Sequence, residues 1–156
     1  MKHIIFTIFF CFISIITFGQ SSSKEDLKYK PKTLDEAIVQ LEKIHHDTTK
    51  QKIIAMTEKE FLGNSHFGLG LWMRNNWGLW KGKELAKHFK SIGVFHPDDM
   101  SGIILTSYYR QLKGQDRKLD EQIKNYQEYW KLTYEHFNRI KTDTLYQKQI
   151  EKSKTK

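Results

Sequence analysis

Five polar residues in this sequence are of types that carry out acid–base chemistry or bind anions. His66, Arg74 and Asn75 lie in one mostly apolar stretch, and the adjacent Asp98 and Asp99 follow a histidine and a proline. An imidazole can act as a general base, a guanidinium can bind a carboxylate or phosphate through two parallel hydrogen bonds, and a carboxylate can orient the base. With His66 as base, Arg74 as anion clamp and Asp98 or Asp99 as orienter, the set permits a hydrolase-like reaction or the binding of an anionic ligand.

The same residues also fit a purely structural role. A guanidinium beside the apolar Trp77 needs a carboxylate partner once it is desolvated, so we expect Arg74 to form an internal ion pair with Asp98 or Asp99. Aspartates at the start of a helix also satisfy free backbone N–H groups and complement the helix dipole. A lone histidine such as His66 on a mostly apolar helix is more often structural than catalytic. The sequence therefore favours a buried clamp over a catalytic site.

The element that must position His66 and Arg74 is residues 66–80, which hold three of the four tryptophans. Placed on a helix, this stretch is apolar nearly all round, and such helices are usually buried. Gly78 marks the end of the helix, before Trp80 packs back. The candidate ligand-binding residues are His66, Arg74, Asn75, Trp77, Trp80, Asp98 and Asp99, and no residue is assigned a catalytic role.

Helical patterns cover the rest of the domain and predict an all-α fold. Thr33 with Glu36 and Thr57 with Glu60 have the spacing of capping boxes, in which side chains and backbone N–H groups at a helix start bond reciprocally. Apolar residues then recur at helical spacing, whereas no run alternates with the period of two that strands require. We expect five or six helices over residues 33–114, a helical domain of unknown function, and then a long C-terminal helix.

Residues 115–156 differ in character from the domain before them. Acidic and basic residues are interleaved there, and apolar residues that include Tyr126 and Trp130 form a narrow stripe. This pattern is typical of a long, largely exposed helix that packs on the domain or pairs with a partner. We expect a charged C-terminal helix that the domain does not need in order to fold.

The N-terminus has the pattern of a secretory signal peptide. Lys2 precedes a nearly unbroken apolar run, and small residues come before Gln20, so we expect residues 1–19 to be cleaved and the mature chain to be exported to the periplasm or the cell exterior. The run is short for a membrane-spanning helix, which needs roughly 20 apolar residues, so no stable membrane span is expected after cleavage. Residues 20–32 are polar and lysine-rich, as in a flexible linker.

Composition and missing motifs exclude several classes of chemistry. The one cysteine, Cys11, lies in the predicted signal peptide, so the mature chain has neither a disulfide nor a thiolate metal site. The formal net charge is +8, but export makes nucleic acid a poor partner, and an unknown protein or envelope component is expected instead. The sequence has no glycine-rich phosphate loop, no catalytic serine motif and no metal-binding histidine motif. We therefore predict no cofactor and no bound metal.

Two blocks of residues together resemble a known family. The first runs from His66-Phe-Gly-Leu-Gly through Arg74-Asn75 to Leu79-Trp80, and the second is His96-Pro-Asp-Asp-Met-Ser101. In this order they resemble an uncharacterised bacterial family of domains of unknown function (family number 6794), which comprises small exported helical proteins of Bacteroidetes type. The resemblance covers roughly residues 32–114 and brings no reaction, substrate or cofactor. It implies that the motif positions are His66, Arg74, Asn75, Asp98 and Asp99.

Two functions are open on this basis. The first is a non-enzymatic, exported binding or interaction module, which the missing catalytic motifs and the aromatic-rich centre favour. It predicts that His66, Arg74 and the two aspartates are mostly buried and mutually satisfied. The second is a hydrolase-like or anionic-ligand-binding protein that uses these residues, which requires their side chains to converge on an open cleft. We favour the first function and keep the second as the alternative.

Overall fold

The structure is a computed structural model that describes residues 26–154. The predicted signal peptide, residues 1–19, and the first part of the predicted linker lie outside the described residues. Every regular element between residues 26 and 154 is helical, and this range contains no strand. The predicted all-α fold is therefore confirmed.

Six α-helices occupy the part of the chain in which five or six were predicted, and two more follow. A turn of 3-10 helix, Asp26–Lys28, precedes them in the described chain. The helices are α1 (Leu34–Ile44), α2 (Asp47–Ala55), α3 (Glu58–Ser65), α4 (Leu71–Asn76), α5 (Glu84–Ser91), α6 (Pro97–Leu112), α7 (Leu119–Thr142) and α8 (Thr144–Lys154). The long C-terminal helix is present as α7, but Asp143, whose backbone is extended, separates it from α8.

Helix starts and ends follow signals in the sequence. At the start of α3, the Thr57 hydroxyl accepts a hydrogen bond from the backbone N–H of Glu60, and the Glu60 carboxylate accepts one from the N–H of Thr57, which completes the predicted capping box. The helix end predicted at Gly78 is confirmed, because this glycine follows α4 with a φ of 73°. Glycine adopts this left-handed conformation without steric cost. A Cβ there would also collide with the side chain of Lys83.

The central stretch is not the uniformly buried helix that its apolar composition predicts. A short π-helical segment, His66–Gly70, joins α3 to α4 in one continuous helical path. Arg74 and Trp77 are buried, whereas Phe67 is 80% exposed and Trp80 is 52% exposed. The prediction of burial all round is wrong because only one face of this path packs against the rest of the domain, mainly against α6. Short π-helical insertions are rare and often occur at functional sites.

The core is built around α6. Ten of its sixteen residues are buried, and it contacts each of α1 to α5 as well as α7. A helix surrounded in this way has to be apolar on nearly every side, and Ile103, Ile104 and Tyr108 are all fully buried. The packing holds the first turn of α6, which carries Asp98 and Asp99, in a fixed position beside α4.

The first half of α7 packs on the domain and the second half extends beyond it. Gln122 is buried, and Tyr126 is partly buried against the core. An added Cβ on Gly102 of α6 would collide with the Tyr126 hydroxyl, so the two helices are in close contact at this point. Past Trp130 the apolar side chains are mostly exposed, at 63% for Leu132, 65% for Tyr134 and 63% for Phe137.

Candidate functional site

The guanidinium of Arg74 is enclosed by the fold. Arg74 is 3% exposed, and its Nε lies 3.0 Å from Oδ1 of Asp98. One terminal nitrogen donates to the Ser101 hydroxyl at 2.8 Å, and the other donates to the backbone carbonyl of His66 at 3.2 Å. The predicted ion pair with one of the two aspartates is confirmed, and the partner is Asp98.

This arrangement has the character of a structural clamp between α4 and the first turn of α6. The Nε–H of Arg74 makes no aligned hydrogen bond within residues 26–154, so its contact with Asp98 is an ion pair and not a well-directed hydrogen bond. The side chain of Asp98 is 35% exposed, and its second oxygen lies 3.4 Å from Nδ1 of His96. Since Arg74 is 3% exposed and each of its guanidinium nitrogens already faces a partner, the side chain is not open to an external anion.

The helix cap at the start of α6 is His96 and not an aspartate. Nδ1 of His96 accepts a hydrogen bond from the backbone N–H of Asp98 at 3.3 Å. The prediction that Asp98 or Asp99 would cap this helix is wrong, because Pro97 already occupies the first helical position. Proline suits that position, since its fixed φ is helical and it has no N–H to leave unsatisfied. The two aspartates lie in the first turn, where negative charge complements the helix dipole.

Asp99 links α6 to α7. It is 8% exposed, and its carboxylate accepts a hydrogen bond of 2.6 Å from the indole N–H of Trp130. Burial raises the pKa of Asp99 above its ordinary value, and the hydrogen bond from Trp130 and the proximity of His96 oppose this rise. Of the two neighbouring carboxylates, one therefore closes the Arg74 clamp and the other holds an aromatic residue of α7.

An open cleft lies beside this second carboxylate, between residues 93–96, α6 and α7. Its volume is about 460 Å³. We call it the aromatic cleft, because five of the nine residues that line it carry aromatic rings. None of these nine described residues is a lysine or an arginine. The lining residues are Gly93, Val94, Phe95, His96, Asp99, Tyr126, Gln127, Trp130 and Tyr134.

The rings around the aromatic cleft form a connected row. The imidazole of His96 lies 5.4 Å from the ring of Trp130, tilted by 38°, and Trp130 lies 6.4 Å from Tyr134. Trp80 contacts the other side of His96 edge-on, with ring centroids 6.0 Å apart. Phe95, at the rim, is 70% exposed. The row runs from the loop after α4 to the exposed half of α7, and several of its rings are open to solvent.

The sequence-predicted site residues divide into two groups. The structure brings four of them together around the first turn of α6, namely Arg74, Trp80, Asp98 and Asp99. The other three do not join that group through their side chains. His66 contributes its carbonyl to Arg74 while its ring packs edge-on against Phe67, Asn75 is exposed, and Trp77 is buried in the core beside Trp72.

One buried polar atom has no partner in the described structure. The indole N–H of Trp77 is inaccessible to solvent and meets no hydrogen-bond acceptor within residues 26–154. A buried indole usually has such a partner. Trp77 is 1% exposed, so its ring acts as part of the core and not as a ligand-binding surface.

Of the nine residues that line the aromatic cleft, only Asp99 is among the predicted site residues. The others come from residues 93–96 and from α7. Tyr126 and Trp130 were identified as part of an apolar stripe, but Gln127 and Tyr134 were not singled out, and none of the four was connected to the domain's motif positions. The available signal was the helical spacing of Tyr126 and Trp130, which continues to Tyr134. That spacing predicts one face of a helix, but it does not say which helix lies opposite.

Two further properties concern the described residues as a whole. Among residues 26–154, no group of three or more histidine, cysteine, aspartate or glutamate side chains is arranged to hold a metal ion. In the same range, no helix is long and apolar enough to cross a membrane.

The fold and the site together define an all-α domain that contains a clamped arginine and an aromatic cleft. Residues 30–112 match the family described as Domain of unknown function (DUF6794), and the chain belongs to this family. Comparison with curated proteins and comparison with solved structures each gave no significant match. The matched segment includes Arg74, His96 and both aspartates but ends before α7, so the aromatic cleft combines family residues with residues outside the match.

Proposed function

We propose that this protein is a non-enzymatic binding module and that the aromatic cleft is its ligand-binding site. The observation that carries the proposal is an open row of aromatic rings, His96, Trp130 and Tyr134, next to a carboxylate that is already fixed by a hydrogen bond. Ligand sites are typically concave and mostly apolar, with a few placed polar groups and a volume of roughly 300–1,000 Å³. The cleft, at about 460 Å³, is of this size and composition.

The geometry gives little support to a hydrolase-like or anion-binding function at the predicted motif residues. Arg74 is 3% exposed and already faces three partners. His66 offers it a carbonyl and not an imidazole. A reacting atom needs a position within about 3 Å of both a base and an electrostatic stabiliser, and the enclosed guanidinium leaves no such position beside it.

We also propose that the chain works outside the cytoplasm, in the periplasm or at the cell exterior, and that it belongs to a bacterium of Bacteroidetes type. The support is the signal-peptide pattern of residues 1–19 and, for the bacterial type, the resemblance of the Phe-Gly-Gln sequence at its end to that of exported proteins from such bacteria. The natural partner is then an envelope component or another exported protein. Intact-mass measurement tests the export proposal: exported chains should begin near Gln20, and a mass that still includes residues 1–19 would contradict it.

A fragment screen by saturation-transfer NMR tests the binding function. Neutral, cationic and anionic fragments are added to the full chain, and fragments that bind should compete with one another for a single site. Tyr134→Ala should abolish binding without loss of stability, because Tyr134 lines the cleft and is 65% exposed. The matched control is Phe137→Ala, which removes an aromatic ring from the same helix at a position that is 63% exposed and does not line the cleft.

Two results would overturn this proposal. One is that no fragment of any charge binds to the full chain. The other is that fragments bind equally well to the Tyr134→Ala variant, which would place their site elsewhere. If the wild-type chain instead hydrolyses a simple ester such as p-nitrophenyl acetate, and Arg74→Lys removes that activity, the enzymatic alternative takes precedence.

A further inference from the structure

We infer that the aromatic cleft selects an organic cation, namely an alkylammonium group carried on a larger ligand. This inference rests on the proposed function and specifies the ligand class of the same site. It draws on three features of the cleft: the faces of its rings, the Asp99 carboxylate that lines it with Asp98 next to it in the chain, and the absence of lysine and arginine among the described residues that line it.

The aromatic rings of the cleft can attract an ammonium group through their faces. Aromatic faces carry partial negative charge and attract an ammonium group within about 6 Å of the ring centroid, and assemblies of several rings recognise quaternary ammonium groups. His96, Trp130 and Tyr134 are spaced by 5.4 Å and 6.4 Å and are tilted relative to one another by 38° and 46°. Rings that are inclined in this way, and not stacked face to face, leave faces that are available to a ligand.

The carboxylates of Asp98 and Asp99 supply negative charge near the cleft. Asp99 lines the cleft, and Asp98 is the preceding residue in the same helical turn. Both carboxylates act on Tyr126, which lines the cleft. Burial raises the pKa of its phenol, and the negative charges of Asp99 and Asp98 raise that pKa further. Asp98 is balanced by Arg74, so the charge that is left for a ligand comes chiefly from Asp99.

The net charge of the whole chain is opposite to the charge expected at a cation-binding cleft. With a formal net charge of +8, long-range electrostatics attract anions and repel cations. A preference for a cation must therefore come from the local chemistry of the cleft. The cleft volume of about 460 Å³ exceeds that of a single ammonium group, so the rest of the ligand lies along the exposed rings of Phe95 and Tyr134.

A pair of probes with the same shape and different charge tests the inference. The full chain is titrated with choline and, separately, with 3,3-dimethylbutan-1-ol, its neutral carbon counterpart, and dissociation constants are measured from amide chemical shifts. We expect choline to bind about ten-fold more tightly than the neutral alcohol. Nα-acetyl-lysine methylamide is the third probe: tighter binding of this compound points to a lysine side chain of a protein, and tighter binding of choline points to a quaternary ammonium ligand.

Substitutions in the cleft locate the effect. Asp99→Asn should reduce the preference for choline over the alcohol, because it removes the charge and keeps an oxygen that can accept from Trp130. Tyr134→Ala should abolish choline binding, and Phe137→Ala should leave it unchanged. A thermal melt of each variant confirms that it is folded.

Negative results of these titrations would overturn either the cation inference alone or the proposed function as well. If the neutral alcohol binds as tightly as choline, or if only neutral or anionic fragments bind in the cleft, the cation inference is overturned and the binding function stands. If Asp99→Asn and Tyr134→Ala leave choline binding intact, the cation is bound elsewhere and the inference is overturned as well. If neither the cations nor any fragment binds, the proposed function falls with it.

Discussion

The side chain of Arg74 is held inside the fold by a carboxylate and a hydroxyl of α6 and by a backbone carbonyl of the π-helical segment. Loss of one partner from a buried ion pair typically costs about 3–5 kcal/mol, since the remaining charge is left uncompensated. Asp98 is 35% exposed, so solvent stabilises it in part. We predict that Arg74→Met lowers the free energy of unfolding by about 3 kcal/mol, at the lower end of that range, as measured by urea denaturation.

A double-mutant cycle and a surface control complete this test. Asp98→Asn combined with Arg74→Met should cost less than the sum of the two single changes, because both remove the same interaction. Lys87→Met disrupts the pair between Lys87 and Glu84, whose side chains are 66% and 60% exposed, and it should leave the urea midpoint unchanged. If Arg74→Met behaves like Lys87→Met, the clamp does not stabilise the fold, and an anion-binding role for Arg74 regains support.

His45 should make stability depend on pH. Nδ1 of His45 lies 2.9 Å from the Tyr108 hydroxyl, and burial, followed by the charge of Lys50, lowers the pKa of His45 from 6.5. The unfolded chain therefore takes up a proton at this position more readily than the folded chain. The contribution of neutral His45 to stability is complete above pH 6.5 and is lost as the pH falls from there toward the lowered pKa of the folded state.

Comparison with a variant isolates that contribution from the other histidines. We predict that the free energy of unfolding of the wild-type chain falls between about pH 7.5 and about pH 5.5, and that His45→Gln reduces the size of this fall. Urea denaturation at the two pH values measures it. An equal fall in the variant would show that His45 titrates alike in the folded and unfolded chains.

The contact between α6 and α7 decides where the cleft forms. Alanine in place of glycine within a helix stabilises it by roughly 1 kcal/mol, yet a Cβ on Gly102 would collide with the Tyr126 hydroxyl. We predict that Gly102→Ala destabilises the chain and that the same change becomes stabilising in a Tyr126→Phe background. Gly63→Ala in α3, where a Cβ would meet nothing within 4 Å, should stabilise in either background. If Gly102→Ala stabilises the wild-type chain, α7 is not closely packed at this point.

The role of the C-terminal helices in folding is a separate question. The sequence suggested that residues 33–114 fold without the tail, but Gln122 is buried and Tyr126 is partly buried against the core, whereas α8 has no buried residue. We predict that a chain ending at residue 142 melts at the temperature of the full chain and that a chain ending at residue 115 melts roughly 5–10 °C lower. Equal melting temperatures for all three chains would show that α7 docks without stabilising the domain.

For the molecule as a whole, local signals in the sequence predicted the elements better than the site. The capping box at Thr57 and the helix end at Gly78 are encoded within a few residues, so they could be identified before the fold was known. The pairing of Arg74 with an aspartate followed from the cost of leaving a guanidinium buried without a partner. The partnership of Asp99 with Trp130 could not be foreseen, because it depends on how α7 packs across α6.

Binding of an organic cation in the aromatic cleft is tested most directly by the indole N–H signals of the four tryptophans. Trp130 donates its N–H to Asp99 inside the cleft, whereas Trp77 is buried in the core. On titration with choline, two-dimensional NMR should show the Trp130 signal shifting in a saturable way while the Trp77 signal stays in place; Trp130→Phe and Trp77→Phe variants assign the two signals. A Trp130 signal that does not move at any choline concentration, while Trp77 or no tryptophan responds, would contradict the account.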